Sequence, residues 1–142
     1  MGIERIFLAD DEATAALGKR LAETLTPGDT VLLIGDLGAG KTSLARAVIR
    51  TLVGDASIDI PSPTFALVQP YESPSGTQIL HADLYRIVDP REVDELGLID
   101  RDDAIVLIEW PEKARDLLPG HVRSVTLSIP PTRLCRVAEI AW

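Results

Sequence analysis

The segment Gly35-Asp36-Leu37-Gly38-Ala39-Gly40-Lys41-Thr42 constrains the fold more than any other part of the chain. It satisfies the pattern Gly-x-x-x-x-Gly-Lys-Ser/Thr in full. The apolar run Val31 to Ile34 precedes it, and Leu44, Ala45, Val48, Ile49 and Leu52 follow at helical spacing. A strand, a tight loop and a helix that begins inside the loop follow from that order. Glycines let the backbone curl so that successive amides converge, and the helix N-terminus adds partial positive charge; together they suit phosphate. Lys41 is then placed to reach the β and γ phosphates of a nucleotide, and the Thr42 hydroxyl to ligate Mg²⁺. The expected ligand is ATP with Mg²⁺. Gly35, Leu37, Gly38, Ala39, Gly40, Lys41, Thr42 and Ser43 are its expected binding residues. Only three lysines occur in the chain, and one of them is here.

The rest of the chain supplies elements to frame this loop. Arg5 to Leu8 reads as a first strand, and Asp10 or Asp11 can cap the helix after it. Leu17, Leu21, Ala22 and Leu25 share one face of that helix, with Lys19, Arg20 and Glu23 off it. Thr26, Pro27 and Gly28 stop it, because the residue before proline is pushed out of the α region. Lys41 to Leu52 forms the second helix, with Gly54 just past its end. Pro61 to Pro63 breaks the chain before an expected strand at Phe65 to Val68. A hairpin turn within Glu72 to Thr77 leads to a strand at Gln78 to Ala82. A short helix is expected around Glu92 to Leu96. Ile105 to Ile108 reads as a buried strand, and Val122 to Ile129 with Leu134 to Ile140 as a closing pair. The sum is an α/β fold: a single P-loop domain over residues 1–142, with a mixed β-sheet flanked by helices.

Composition narrows the class. The 142 residues are 46% hydrophobic and 25% charged, the balance of a soluble globular chain. No apolar run approaches the roughly 18 to 20 residues that cross a bilayer. The Met1 to Asp11 stretch already carries Glu4, Arg5 and Asp10, unlike a signal peptide. A cytoplasmic protein with no membrane partner is expected. The one cysteine, Cys135, has no second cysteine to pair with and reads as a half-buried strand residue. Net charge is −8 with basic residues scattered, so any nucleic acid would be held through a partner.

Two further clusters carry chemistry. Glu109 ends the apolar run before it, at the position where the second acidic group of a P-loop site stands, holding Mg²⁺ directly or through a water. An acidic residue that merely ends a strand would look the same. His81, Asp83 and Arg86 fall close together after another strand. Asp83 suits orienting a water, while a solvated strand end with an Asp83–Arg86 ion pair fits equally well. Trp110 fits either the core or a wall over the site.

Together these residues resemble the TsaE (YjeE) family of small bacterial P-loop ATPases, which assist the modification of tRNA to threonylcarbamoyladenosine. The resemblance rests on Gly35 to Thr42, Ser62-Pro63-Thr64-Phe65, His81-x-Asp83-x-Tyr85-Arg86 and Glu109-Trp110-Pro111-Glu112-Lys113, in the family's order. It implies partners TsaB and TsaD, with tRNA reached through them. It implies that Lys41, Asp83 and Glu109 serve catalysis, with Asp83 supporting hydrolysis. It gives the metal to Thr42 and Glu109, and places Trp110 beside the nucleotide. It also implies that the Ser62 and His81 segments act as nucleotide-sensing switches, and that Asp11, Thr14 and Arg133 enclose the base. The stretch from Gly97 to Asp103 departs from the family by looking short and lacking an aromatic residue. No arginine is marked by the sequence for the γ-phosphate, so slow, partner-controlled hydrolysis is expected. A small-molecule kinase and a nonhydrolytic nucleotide-dependent regulator share the loop and stand as alternatives.

Overall fold

The two runs that are apolar throughout become the centre of a sheet, because only strands covered on both faces can use them. A computed structural model describes residues 2–63, 66–99, 101–118, 122–131 and 135–141. Its elements run β1 (Ile3–Leu8), α1 (Asp11–Thr24), β2 (Thr30–Ile34), α2 (Lys41–Val53), β3 (Val68–Glu72), β4 (Gln78–Asp83), α3 (Glu92–Glu95), β5 (Ala104–Glu109), a kinked 3₁₀ stretch (Pro111–Leu117), β6 (Arg123–Ser128) and β7 (Arg136–Ala141). The seven strands lie in the order β1-β7-β6-β2-β5-β4-β3. β2 is parallel to β5 and β6, and β4 to β5, while β3, β7 and β1 join antiparallel. The mixed α/β sheet expected from the sequence is the one observed.

Side chains leave β5 alternately. Ile105 and Leu107 enter the core under α1 and α2, and Ala104, Val106 and Ile108 enter a second core under α3 and the 3₁₀ stretch. Full burial of each large aliphatic contributes about 1.5–3 kcal/mol. Asp10, the one cap of the two expected, accepts from the Ala13 amide at 2.9 Å. Leu17, Leu21, Ala22 and Leu25 are buried as their spacing requires. The two long helices approach closely at Gly18. A Cβ added there would lie 2.4 Å from Ala47 Cβ.

Several boundaries shift by a residue or two from the sequence reading, β4 running on to include Asp83. The strand expected at Phe65 to Val68 starts only at Val68 and runs to Glu72; Phe65 itself lies outside the described residues. Leu67 has φ +68°, and its amide donates to the Pro63 carbonyl at 2.6 Å, which keeps Leu67 out of β3. Pro70 inside β3 is tolerated because that strand is at the sheet edge. Cys135 is half-buried as expected but sits in a bend just before β7, not in the strand.

Candidate functional site

Because β4, β5 and β2 run parallel, their C-terminal ends meet at one edge of the sheet, beside the N-terminus of α2. Asp83 and Glu109 are register partners, and Glu109 also pairs with Leu33, two residues before Gly35. Gly35 turns the chain at φ +154°, where an added Cβ would sit 2.6 Å from the Leu127 carbonyl oxygen. Gly40 caps α2 in the left-handed region at φ +106°. Both conformations favour glycine, which is why the loop is built as it is.

Three functional candidates converge there. The Thr42 hydroxyl donates to Glu109 Oε1 at 2.8 Å, and His81 Nε2 lies 2.6 Å from Glu109 Oε2. Glu109 is 2% exposed and His81 not at all, so this carboxylate is held between two partners away from water. With its ring proton on Nε2, His81 leaves Nδ1 as a buried acceptor without a partner. Asp83 is also buried, and its Oδ1 accepts from the Tyr85 amide at 2.9 Å. The solvated strand end considered for His81 and Asp83 is therefore not what forms. Strand β4 is paired on both edges, with β3 and β5, and His81 lies beside Leu107 of the core under α1 and α2.

The Lys41 ammonium donates to the carbonyls of Gly35 and Asp36, the latter at 3.0 Å. It also lies 4.0 Å from the centre of the Trp110 ring. Burial pushes Lys41 below its usual ammonium range; the carboxylates of Glu109, Glu112, Asp83 and Asp36 oppose that shift. Trp110 is half-buried with φ +58° and packs on Tyr85 with ring centres 4.8 Å apart. Trp110 packs against the core under α3 and the 3₁₀ stretch and also borders the cavity of the loop, so both readings of it have a part. Its ring stands over the Lys41 ammonium.

A cavity of about 350 Å³ joins these groups. Leu37, Gly38, Gly40, Lys41, Thr42, Ser43, Ser62, Asp83, Glu109, Trp110 and Arg136 line it. Gly35 and Ala39 lie on the far side of the loop, where a second cavity meets Leu127. Asp11 and Thr14 line a separate cleft of about 500 Å³ between α1 and α2; Ser43 borders both spaces and connects them. Thr14 is mostly buried there and its hydroxyl donates to the Asp10 carbonyl. Arg133, expected near the base, lies outside the described residues. So do Thr64 and Phe65 of the Ser62 segment.

The oxygen set suits Mg²⁺. The Thr42 and Glu109 oxygens are 2.8 Å apart, close to the edge of an octahedron with bonds of about 2.1 Å. Among the described residues no group of three His, Cys, Asp or Glu side chains gathers as a metal cage. Sequence reasoning missed Arg136, whose guanidinium Nη2 donates to the Gly38 carbonyl at 3.2 Å. Nothing in the local pattern flags an arginine that opens a strand 98 residues away. His81 was seen but not linked to Glu109, because the link depends on the pairing of β4 with β5.

A glycine loop runs between the central strand and a helix, with a buried acidic side chain on the adjacent strand, the arrangement the sequence pattern leads one to expect of a P-loop protein. Residues 8–135 match the family model for the threonylcarbamoyl adenosine biosynthesis protein TsaE. The chain is 42% identical over 136 residues to the tRNA threonylcarbamoyladenosine biosynthesis protein TsaE of Rickettsia bellii, spanning 94% of this chain and 93% of that one. It is 39% identical over 120 residues to the protein of that name in Haemophilus influenzae, with 80% and 74% covered. The fold matches a crystal structure of the Bacillus protein YdiB with a TM-score of 0.76 at 24% identity, covering 98% of this chain and 84% of that one. The chain belongs to the TsaE family.

Proposed function

We propose that this chain is a single-domain, cytoplasmic, Mg²⁺-dependent ATPase of low intrinsic rate, which acts with TsaB and TsaD in forming threonylcarbamoyladenosine in tRNA. The observation that carries this reading is the Thr42–Glu109 contact at the mouth of the Gly35–Thr42 loop, in a member of the TsaE family. Mg²⁺ would neutralise charge on the phosphates, held by Thr42 and Glu109. The loop amides and Lys41 bind the phosphate chain, with the ammonium exchanging the Gly35 and Asp36 carbonyls for phosphate oxygens. Glu109 is fixed by Thr42 on one side and His81 on the other, so its carboxylate would already be in place to hold Mg²⁺. Asp83, anchored on the Tyr85 amide, orients the attacking water. Trp110 closes the site over Lys41. The base lies toward Asp11, Thr14 and Ser43, with Arg133 near it. The acidic surface leaves tRNA to the partners.

Steady-state ATP turnover of the protein alone, and with TsaB and TsaD, tests this. The expected rate alone is on the order of one turnover per minute or less, rising or becoming productive only with the partners. Rapid turnover unaffected by them would refute partner control. Full tRNA modification with a nonhydrolysable ATP analogue would refute the ATPase role and leave a regulator.

A further inference from the structure

We infer that Arg136 is a second cation of the nucleotide site, binding the inner phosphates from the side of the loop opposite Lys41; this rests on the nucleotide-binding reading above. Arg136 opens β7 and pairs in register with Leu8 of β1, so the sheet, not the loop, sets its position. Its side chain lies across the α2 N-terminus. A Cβ added to Gly40 would be 3.3 Å from Arg136 Cδ and 3.5 Å from its Nε. Nη2 is anchored on the Gly38 carbonyl. Nε is buried and has no hydrogen-bond partner, and the Arg136 side chain borders the same cavity as Lys41, Thr42 and Glu109.

A buried N–H of a permanent cation is costly to leave unpaired, and an anion beside Gly40 would satisfy it. The two cations divide the loop between them. Lys41 is held at Gly35 and Asp36, next to Trp110, and reaches the outer phosphates; Arg136 is held at Gly38 and Gly40, where the loop amides cradle the α and β phosphates. The arginine therefore serves ADP and ATP alike. It is not aimed at the charge that builds on the γ-phosphate during transfer.

The test is equilibrium binding of ADP and of ATP to wild type, Arg136→Ala and Arg136→Lys, with the melting temperature of each nucleotide-free protein. Arg136→Ala should weaken ADP and ATP equally, by about 10- to 100-fold, as expected for one charge-assisted contact. Arg136→Lys should recover part of that loss. The phosphorus resonance of the α or β phosphate of bound ADP should move in either variant, which a mere brace for the loop would not require. Loss confined to ATP would overturn the inference by moving Arg136 to the γ-phosphate. Unchanged affinity, or unchanged phosphorus resonances with a lowered melting temperature, would overturn it by leaving Arg136 outside the site or a brace. Wild-type protein that binds neither nucleotide would sink the underlying reading itself, a result separate from these.

Discussion

Removing the imidazole of His81 while keeping its volume, as in His81→Phe, strands one oxygen of Glu109 inside the protein. The carboxylate is 2% exposed, its Oε2 bonds His81 at 2.6 Å, and only Thr42 remains on Oε1. Breaking a buried polar pair from one side costs about 3–5 kcal/mol, because the remaining group has lost both its partner and water. A domain of this size loses about 3 °C of melting temperature per kcal/mol, so the variant should melt about 10–15 °C lower. Replacing both partners, as His81→Phe with Glu109→Leu, removes the stranded charge along with its partner. The double variant should recover at least about 2 kcal/mol relative to the sum of the singles. Urea and thermal unfolding, without nucleotide or Mg²⁺, give all four corners of the cycle. A single-variant cost below about 1 kcal/mol, or additive singles, would refute the claim that His81 holds a buried carboxylate.

Lys41→Ala should lose most nucleotide affinity, since no neighbouring ammonium can replace it; titration with a fluorescent ATP analogue at unchanged affinity would count against the loop. Thr42→Ala should weaken Mg²⁺-ATP far more than metal-free ATP, and equal losses in both would take Thr42 out of the metal shell. ATP binding should change tryptophan emission through Trp110, which lies over Lys41; the signal should survive Trp142→Phe and vanish in Trp110→Phe. Folding disfavours the proton on Lys41, so its penalty is full below the lowered folded pKa and fades as pH rises toward the ordinary 10.5. Stability of Lys41→Met should therefore rise less with pH over that alkaline window than wild type. Gly18→Ala gains about 1 kcal/mol in helix propensity but drives a methyl to 2.4 Å from Ala47, and a net loss of about 1–2 kcal/mol is expected in denaturant.

The parts of this fold written in local pattern could be read before the structure. The loop from Gly35 to Thr42, the two long helices and the paired runs at Val31 and Ile105 each declare themselves within about a dozen residues. Periodicity and glycine chemistry act at that range. Glu109 was legible for the same reason, as the polar end of an apolar run. What stayed hidden depended on strand order. Arg136 reaches Gly38 only because β7 returns beside β6, two strands from the one that leads into the loop, and His81 reaches Glu109 only because β4 pairs with β5 in that register. Among the described residues the strand expected from Phe65 begins only at Val68, because Leu67 adopts a backbone conformation that no propensity signals.

The arrangement of parallel strands inside and antiparallel strands outside grades the molecule by rate of opening. β2, β5 and β4, which end in Gly35, Glu109 and Asp83, each have neighbours on both sides, whereas β1 and β3 are hydrogen-bonded along one edge alone. Amide exchange should therefore be slowest where the metal and the outer phosphates would be held, and faster toward β1. Arg136 rides on β7, one strand in from that looser edge. Local opening that starts at the β1 edge would therefore reach Arg136 on β7 before it reaches Lys41, which opens α2 beside the inner strands.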